Sequence, residues 1–183
     1  MLSAVITELG SVGVSGFSVN AVSTRAGVAK RTIGVRWPDR EALILAGMDS
    51  LAAHLTPPRT GHLDSDLVEL AAQIVATMSE PRRSILARCA AELRTYPQYY
   101  EAFVRESVNR CMAAVHDALF DAGRRGELRP EVDLALAAEC FVGAIIGVST
   151  LTARSVTDPG EVVGRLVALI IGGIGEPRPR PNP

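Results

Sequence analysis

Lysine is nearly missing from the 183 residues of this chain: Lys30 stands alone beside eighteen arginines. An excess of positive charge is missing too, because 20 acidic residues face 19 basic ones and leave a formal charge of −1. That balance excludes a protein that coats nucleic acid through bulk charge, so any such affinity must come from a local patch. Only three cysteines occur, Cys89, Cys111 and Cys140, spaced 22 and 29 residues apart, without the close pairs that metal sites and disulfide frameworks use. Reduced thiols and a cytoplasmic setting are expected.

Long hydrophobic runs are equally scarce. The charge-free stretch from Cys140 to Ala153 is 14 residues, short of the ~20 that a membrane-spanning helix needs. The opening MLSAVITELG has no basic segment and meets Glu8 early, unlike a signal peptide. Catalytic signatures are lacking as well. His54, His62 and His116 are too scattered for a ligand set, and no HExxH, CxxC or GxSxG occurs. Gly172-Gly173-Ile174-Gly175 has no strand before it and reads as a helix terminus, not a dinucleotide loop. No enzyme, metal or cofactor is expected.

What the chain does have is apolar spacing of three and four almost throughout, with no convincing period of two, so the expected class is all-α. Leu2, Val5, Ile6, Leu9 and Val12 form one face of a first helix. Ser18 is a natural N-cap for a helix over Val19 to Ala26, Gly27 stops it, and a third short helix runs from about Ala29 to Arg36. Trp37-Pro38-Asp39 closes that helix, and Asp39 caps a longer one expected to reach Leu55. Thr56 to Gly61 is a Pro-containing break. The expected division is therefore 1–55, 56–176 and a proline-rich, disordered tail over 177–183.

Behind the break, Leu67, Leu70, Ala71, Ile74 and Met78 form a buried stripe, with Asp66 and Glu69 resembling a capping box. Pro81 opens a helix lined by Leu86, Cys89, Ala90 and Leu93. A long helix from about Gln98 to Arg125 carries Tyr100, Val104, Val108, Cys111, Val115 and Leu119 inward, and Gly126 follows as its C′ residue. The segment from about Glu131 to Arg154 is apolar on nearly all sides, which predicts a helix hidden on every side. The last helix, about Asp158 to Ile174, has a wide apolar stripe. Two such helices at the edge of a small domain predict a subunit interface and a homodimer.

The window from Arg25 to Arg40 holds five basic residues, Arg25, Lys30, Arg31, Arg36 and Arg40, against Asp39 alone. Two short helices around a glycine turn, packed by Val19, Val22, Ala26, Val28 and Ile33, fit a helix-turn-helix whose second helix enters the major groove of double-stranded DNA. Arg31 suits bidentate reading of a guanine, since its planar fork matches the O6 and N7 acceptors.

Gly13, Phe17, Ser18, Val19, Val22, Ala26-Gly27-Val28, Lys30, Thr32, Ile33, Trp37, Arg40-Glu41 and Leu43 make the first ~55 residues resemble the DNA-binding domain of the TetR family of bacterial transcriptional repressors. The later GELRPEVD, Gly126 to Asp133, is similar to a junction leading into the dimerising helices in one branch of that family. The resemblance implies a three-helix head and a C-terminal helical body for ligand binding and dimerisation through the last two helices. It also implies Ser18 and Thr24 near a phosphate, Lys30, Arg31 and Thr32 at the groove, and Arg36 and Arg40 on the DNA backbone. A small, mostly apolar effector is implied in the body, with Met78, Cys89, Tyr96, Tyr100, Phe103, Ser107 and Cys111 as its lining. Release of a near-palindromic operator by that effector is the expected function. Two departures stand out: Gly34 replaces the usual aromatic, and the sequence starts at Met1-Leu2 without the family's basic segment, so that either the start is truncated or the arm is absent. Both keep open an alternative, a helical dimeric ligand-binding or protein-interaction module whose head no longer binds DNA.

Overall fold

The computed structural model describes residues 1–52, 54–151 and 159–175. The helices are α1 (Leu2–Val12), α2 (Val19–Ala26), α3 (Lys30–Arg36), α4 (Arg40–Asp49), α5 (Leu63–Thr77), α6 (Arg82–Ala91), α7 (Pro97–Phe103), α8 (Asn109–Arg124), α9 (Leu134–Leu151) and α10 (Pro159–Ile174). A π-helical segment, Val104–Val108, joins α7 to α8. No strand occurs among the described residues; Leu128 and Gly175 form an isolated antiparallel bridge. The all-α expectation holds. The tail over 177–183 lies outside the described residues.

Local chemistry explains the head. The Ser18 hydroxyl accepts the Ala21 amide at 3.3 Å and starts α2, and Gly27 ends it in the left-handed conformation at φ 64°. The Asp39 carboxylate accepts the Ala42 amide at 2.7 Å and starts α4. That helix stops at Asp49, short of the Leu55 expected from periodicity. Its leaving carbonyls find donors from far along the chain: Arg82 donates to Leu51 and Ala52, both at 3.0 Å, and Ser107 donates to Leu51 at 3.1 Å. With those acceptors satisfied, the chain can leave the helix at low cost.

Two separately packed units result. The first comprises Met1–Ala53 and Ser79–Arg110, so α6 and α7 pack with the N-terminal helices. Its core joins Val5, Leu9, Phe17, Val22, Ile33, Leu43, Ile44 and Met48 to Ile85, Cys89, Tyr99 and Phe103. On α6 Ile85 and Cys89 are buried and Leu86 packs against the same core, so two of the four expected residues face inward, while Ala90 and, past the helix end, Leu93 lie exposed. Val12 is likewise exposed at the end of α1. Along α7 and the π segment, Tyr99, Phe103 and Ser107 are buried in place of the expected Tyr100, Val104 and Val108. A π turn takes in about one extra residue, which rotates everything before it by one position relative to Cys111, Val115 and Leu119.

The second unit comprises His54–Met78 and Cys111–Pro183. Leu67, Leu70, Ala71, Ile74 and Met78 are buried, as their spacing predicts. Asp66 is not a helix cap. Its carboxylate, 2% exposed, accepts from the Thr60 amide at 2.9 Å and hydroxyl at 2.8 Å, and pairs with Arg125 at 3.6 Å. Glu127 binds the same Arg125 and accepts the Leu63 amide at 2.7 Å, which pins the start of α5. Asp133 caps α9 through the Leu136 amide at 3.0 Å, so this helix begins three residues later than expected from Glu131.

The expectation that α9 is hidden on every side fails within one chain. Leu136, Cys140 and Gly143 are exposed along one stripe, Leu136 by 56%, whereas Ala138, Phe141, Val142 and Ile145 are buried. On α10 Val163 and Val167 are buried, while Arg165, Ala168, Leu169 and Gly172 form an exposed stripe with Leu169 at 74%. No helix among the described residues is long and apolar enough to cross a membrane.

Candidate nucleic-acid interface

α3 is short, and its orientation is set by two anchors. Ile33 is buried at 2% exposure in the head core, and Trp37 follows it inward. Because α-helical side chains fan out at about 100° per residue, burying Ile33 turns Arg31 and Val35 to the opposite side with Lys30, Thr32, Gly34 and Arg36 on the flanks, and all six are exposed. The turn before α3 is held by the Ser23 hydroxyl, which donates to the Val28 carbonyl at 2.6 Å. Gly27 needs its left-handed conformation there, and a Cβ would meet nothing within 4 Å, so the turn demands glycine for its backbone and not for space.

The five basic residues of this region divide by partner. Arg25 pairs with Glu8 at 3.4 Å, and Glu8 is itself buried on α1. Arg40 donates to the carbonyls of Val14 and Phe17 and lies over the Phe17 ring with 5.7 Å from Cζ to the centroid. Its guanidinium thus ties the α1–α2 segment to α4 instead of reaching outward as the family comparison implied. Arg36 stacks over Trp37 at 5.0 Å, a cation–π arrangement that leaves an edge of the guanidinium in solvent. Lys30 and Arg31 are exposed, and so is Thr24, whose hydroxyl donates to the Asn20 carbonyl at 3.1 Å. Ser18 spends its oxygen on the α2 cap. The structure therefore brings Lys30, Arg31, Thr32 and Arg36 together on one helix surface, with Thr24 on α2.

Sequence reasoning passed over Val35, which shares that surface at 83% exposure; its place four residues after Arg31 was the available signal. It also passed over a clamp on the head. The Glu92 carboxylate accepts the Val14 amide at 2.7 Å and the Ser15 amide at 3.1 Å, while Arg88 donates to the Gly10 carbonyl at 2.8 Å. Gly13 lies under this clamp at φ 73°, where a Cβ would come within 2.9 Å of the Glu92 carboxylate. Nothing in the local pattern announces contacts across 78 residues.

The seven residues expected to line an effector site fall into different surroundings. Cys89 and Phe103 belong to the head core, with Tyr96 and Tyr100 packed against it. Burial pushes the Cys89 thiol up to about 11, with the Glu92 charge adding to the effect, so at neutral pH it is a protonated, apolar filler. Ser107 gives its hydroxyl to Leu51. Met78 and Cys111 are buried in the second unit. An open groove of about 320 Å³ in that unit is lined by Phe120, Leu128, Pro130 and Leu134 among others, and a second by Gly61, His62, Asp64, Ser65, Arg125 and Glu127; neither uses any of the seven. Among the described residues no group of three or more His, Cys, Asp or Glu could hold a metal ion.

Comparison with known proteins adds three findings. Residues 57–170 match the family described as "Tetracyclin repressor-like, C-terminal domain". An uncharacterized HTH-type transcriptional regulator of Mycobacterium tuberculosis is 27% identical over 129 residues, which is 70% of this chain and 63% of the relative, so the chain spans less than two thirds of that protein's length. Among solved structures, the transcriptional regulator FadR from Bacillus subtilis, in complex with stearoyl-CoA, superposes with a TM-score of 0.72 at 16% identity, covering 94% of this chain and 97% of the other. A chain assigned to the TetR family from Rhodococcus sp. gives 0.74 at 17% identity, covering 94% and 95%. At such identities the structures speak to fold alone.

Proposed function

Because the chain belongs to the TetR family of regulators, we propose that it works as a homodimeric transcriptional repressor, with α3 as the helix that reads an operator. The observation that carries this reading is the outward face of α3, where Lys30, Arg31, Thr32 and Arg36 are exposed while Ile33 and Trp37 lock the helix from behind. Arg31 reads a guanine through its O6 and N7, Lys30 and Arg36 neutralise phosphates, and Ser18 and Thr24 lie at the edge of the same footprint. Arg40 acts from behind by holding the α1–α2 segment.

The exposed stripes of α9 and α10 support dimerisation through the last two helices. A Cβ at Gly143, Gly147, Gly164 or Gly172 would meet nothing within 4 Å in one chain, so these glycines leave room for a close helix approach from a second copy. Two heads then address two half-sites of a near-palindromic operator, about 34–36 Å apart or a multiple of this. A small, mostly apolar effector in the helical body, binding one head spacing better than the other, lowers operator affinity by that difference.

The test is fluorescence anisotropy with duplexes from the regulator's own upstream intergenic DNA, repeated across salt. Saturable, sequence-preferring binding is expected, with log affinity falling by about 0.9 per phosphate neutralised against log salt. Arg31→Ala relaxes preference at one position in each half-site, whereas Arg36→Ala weakens all sequences alike. Binding without sequence preference refutes the proposal.

A further inference from the structure

Val35 is exposed by 83%, more than any other large apolar side chain among the described residues. It gains nothing for the fold there, since an exposed valine buries no area and its branched Cβ is a poor helix former. Four residues before it is Arg31 and three before it is Thr32, so the three share the outward stripe of α3 opposite buried Ile33. The neighbouring Gly34 offers no side chain, and a Cβ built there meets nothing within 4 Å, so the valine isopropyl group stands clear on a low stretch of helix. Arg31 lies one turn before it on the same stripe and Arg36 follows it directly, both exposed, which makes a polyanion the complementary occupant.

We infer that Val35 is a specificity-determining residue that packs on the 5-methyl group of a thymine in each half-site. This rests on the reading of α3 as the DNA-reading helix. In the major groove the thymine methyl is the apolar landmark among the polar edges of the base pairs, and a branched aliphatic group is its natural partner. Arg31 lies four residues away, about 6 Å along the axis, which spans between one and two base-pair steps of 3.4 Å. The thymine therefore falls within two base pairs of the guanine that Arg31 reads. Gly34 lets the helix backbone come close enough for a side chain as short as valine to reach the methyl.

The experiment uses the full chain. Duplexes that it selects from a randomised pool are resynthesised with deoxyuridine replacing thymidine at single symmetric positions, which removes only the methyl. At one position binding weakens about fourfold per half-site, the value of one methylene-sized group withdrawn from an apolar contact, and on the order of 15-fold for the pair. Val35→Ala, which keeps α3 helical by far-ultraviolet circular dichroism, binds the thymidine and deoxyuridine duplexes equally at that position. Sequence-preferring binding that ignores every methyl, or a methyl effect that Val35→Ala retains, overturns the inference while leaving the DNA-binding function intact. A pool that yields no preferred sequence overturns that function, and the inference with it.

Discussion

Removing the Glu92 carboxylate tests how the head is held to the helices behind it. In Glu92→Ala the Val14 amide loses a 2.7 Å acceptor at a residue only 1% exposed, and the Ser15 amide loses one at 3.1 Å where water can take over. Hydrogen bonds to charged groups contribute roughly 1.5–3 kcal/mol each, with the upper part of that range fitting the Val14 bond and little net effect at the exposed Ser15. The expected loss is about 3 kcal/mol, which lowers the midpoint of thermal unfolding by roughly 6–12 °C for a chain of this size. Glu92→Gln keeps one carbonyl oxygen and is expected to lose about half as much. Denaturant unfolding of the three proteins measures the free energies, and amide hydrogen exchange locates the effect, with protection of Val14 falling most. A Glu92→Ala protein that unfolds within 1 °C of the parent, with Val14 still protected, refutes the reasoning.

The dimer and the buried thiol give two further tests. Leu169→Glu places a charge on the 74%-exposed apolar stripe of α10, and sedimentation is expected to show monomers with operator affinity reduced by at least tenfold; an unchanged dimer contradicts the proposed interface. Cys89, whose thiol is pushed from an ordinary value of 9.0 up to about 11 in the folded chain, binds a proton that the unfolded chain releases first. Stability therefore falls as pH rises from about 9 to 11, by on the order of 2 kcal/mol more than in Cys89→Ala. The same protonation and burial predict slow alkylation of Cys89 at pH 8 in the folded chain and rapid alkylation once denaturant has unfolded it, measured by mass spectrometry.

Arg40 shows where reading by charge stops. Five basic residues between Arg25 and Arg40 suggested one phosphate-facing set, yet Arg25 turns to Glu8 and Arg40 to the carbonyls of Val14 and Phe17. Net charge counts side chains, whereas their direction depends on which carboxylate or carbonyl the fold brings near. Ser107 is a parallel case: expected to line a cavity, it donates its hydroxyl to the Leu51 carbonyl just past the end of α4, 56 residues away.

The amino-acid sequence alone determined the helical class, the Ser18 and Asp39 caps, the Gly27 turn, the span of α2 and the apolar stripe of α5. Each depends on groups within a turn or two of one another, so the information is local and written in neighbouring residues. Only the tertiary structure decided where α4 ends, which of Tyr99 or Tyr100 faces inward, what Asp66 binds and how Glu92 grips Val14. Those outcomes hinge on donors and acceptors brought together from distant parts of the chain, or on a single widened helical turn, and no short-range period records either.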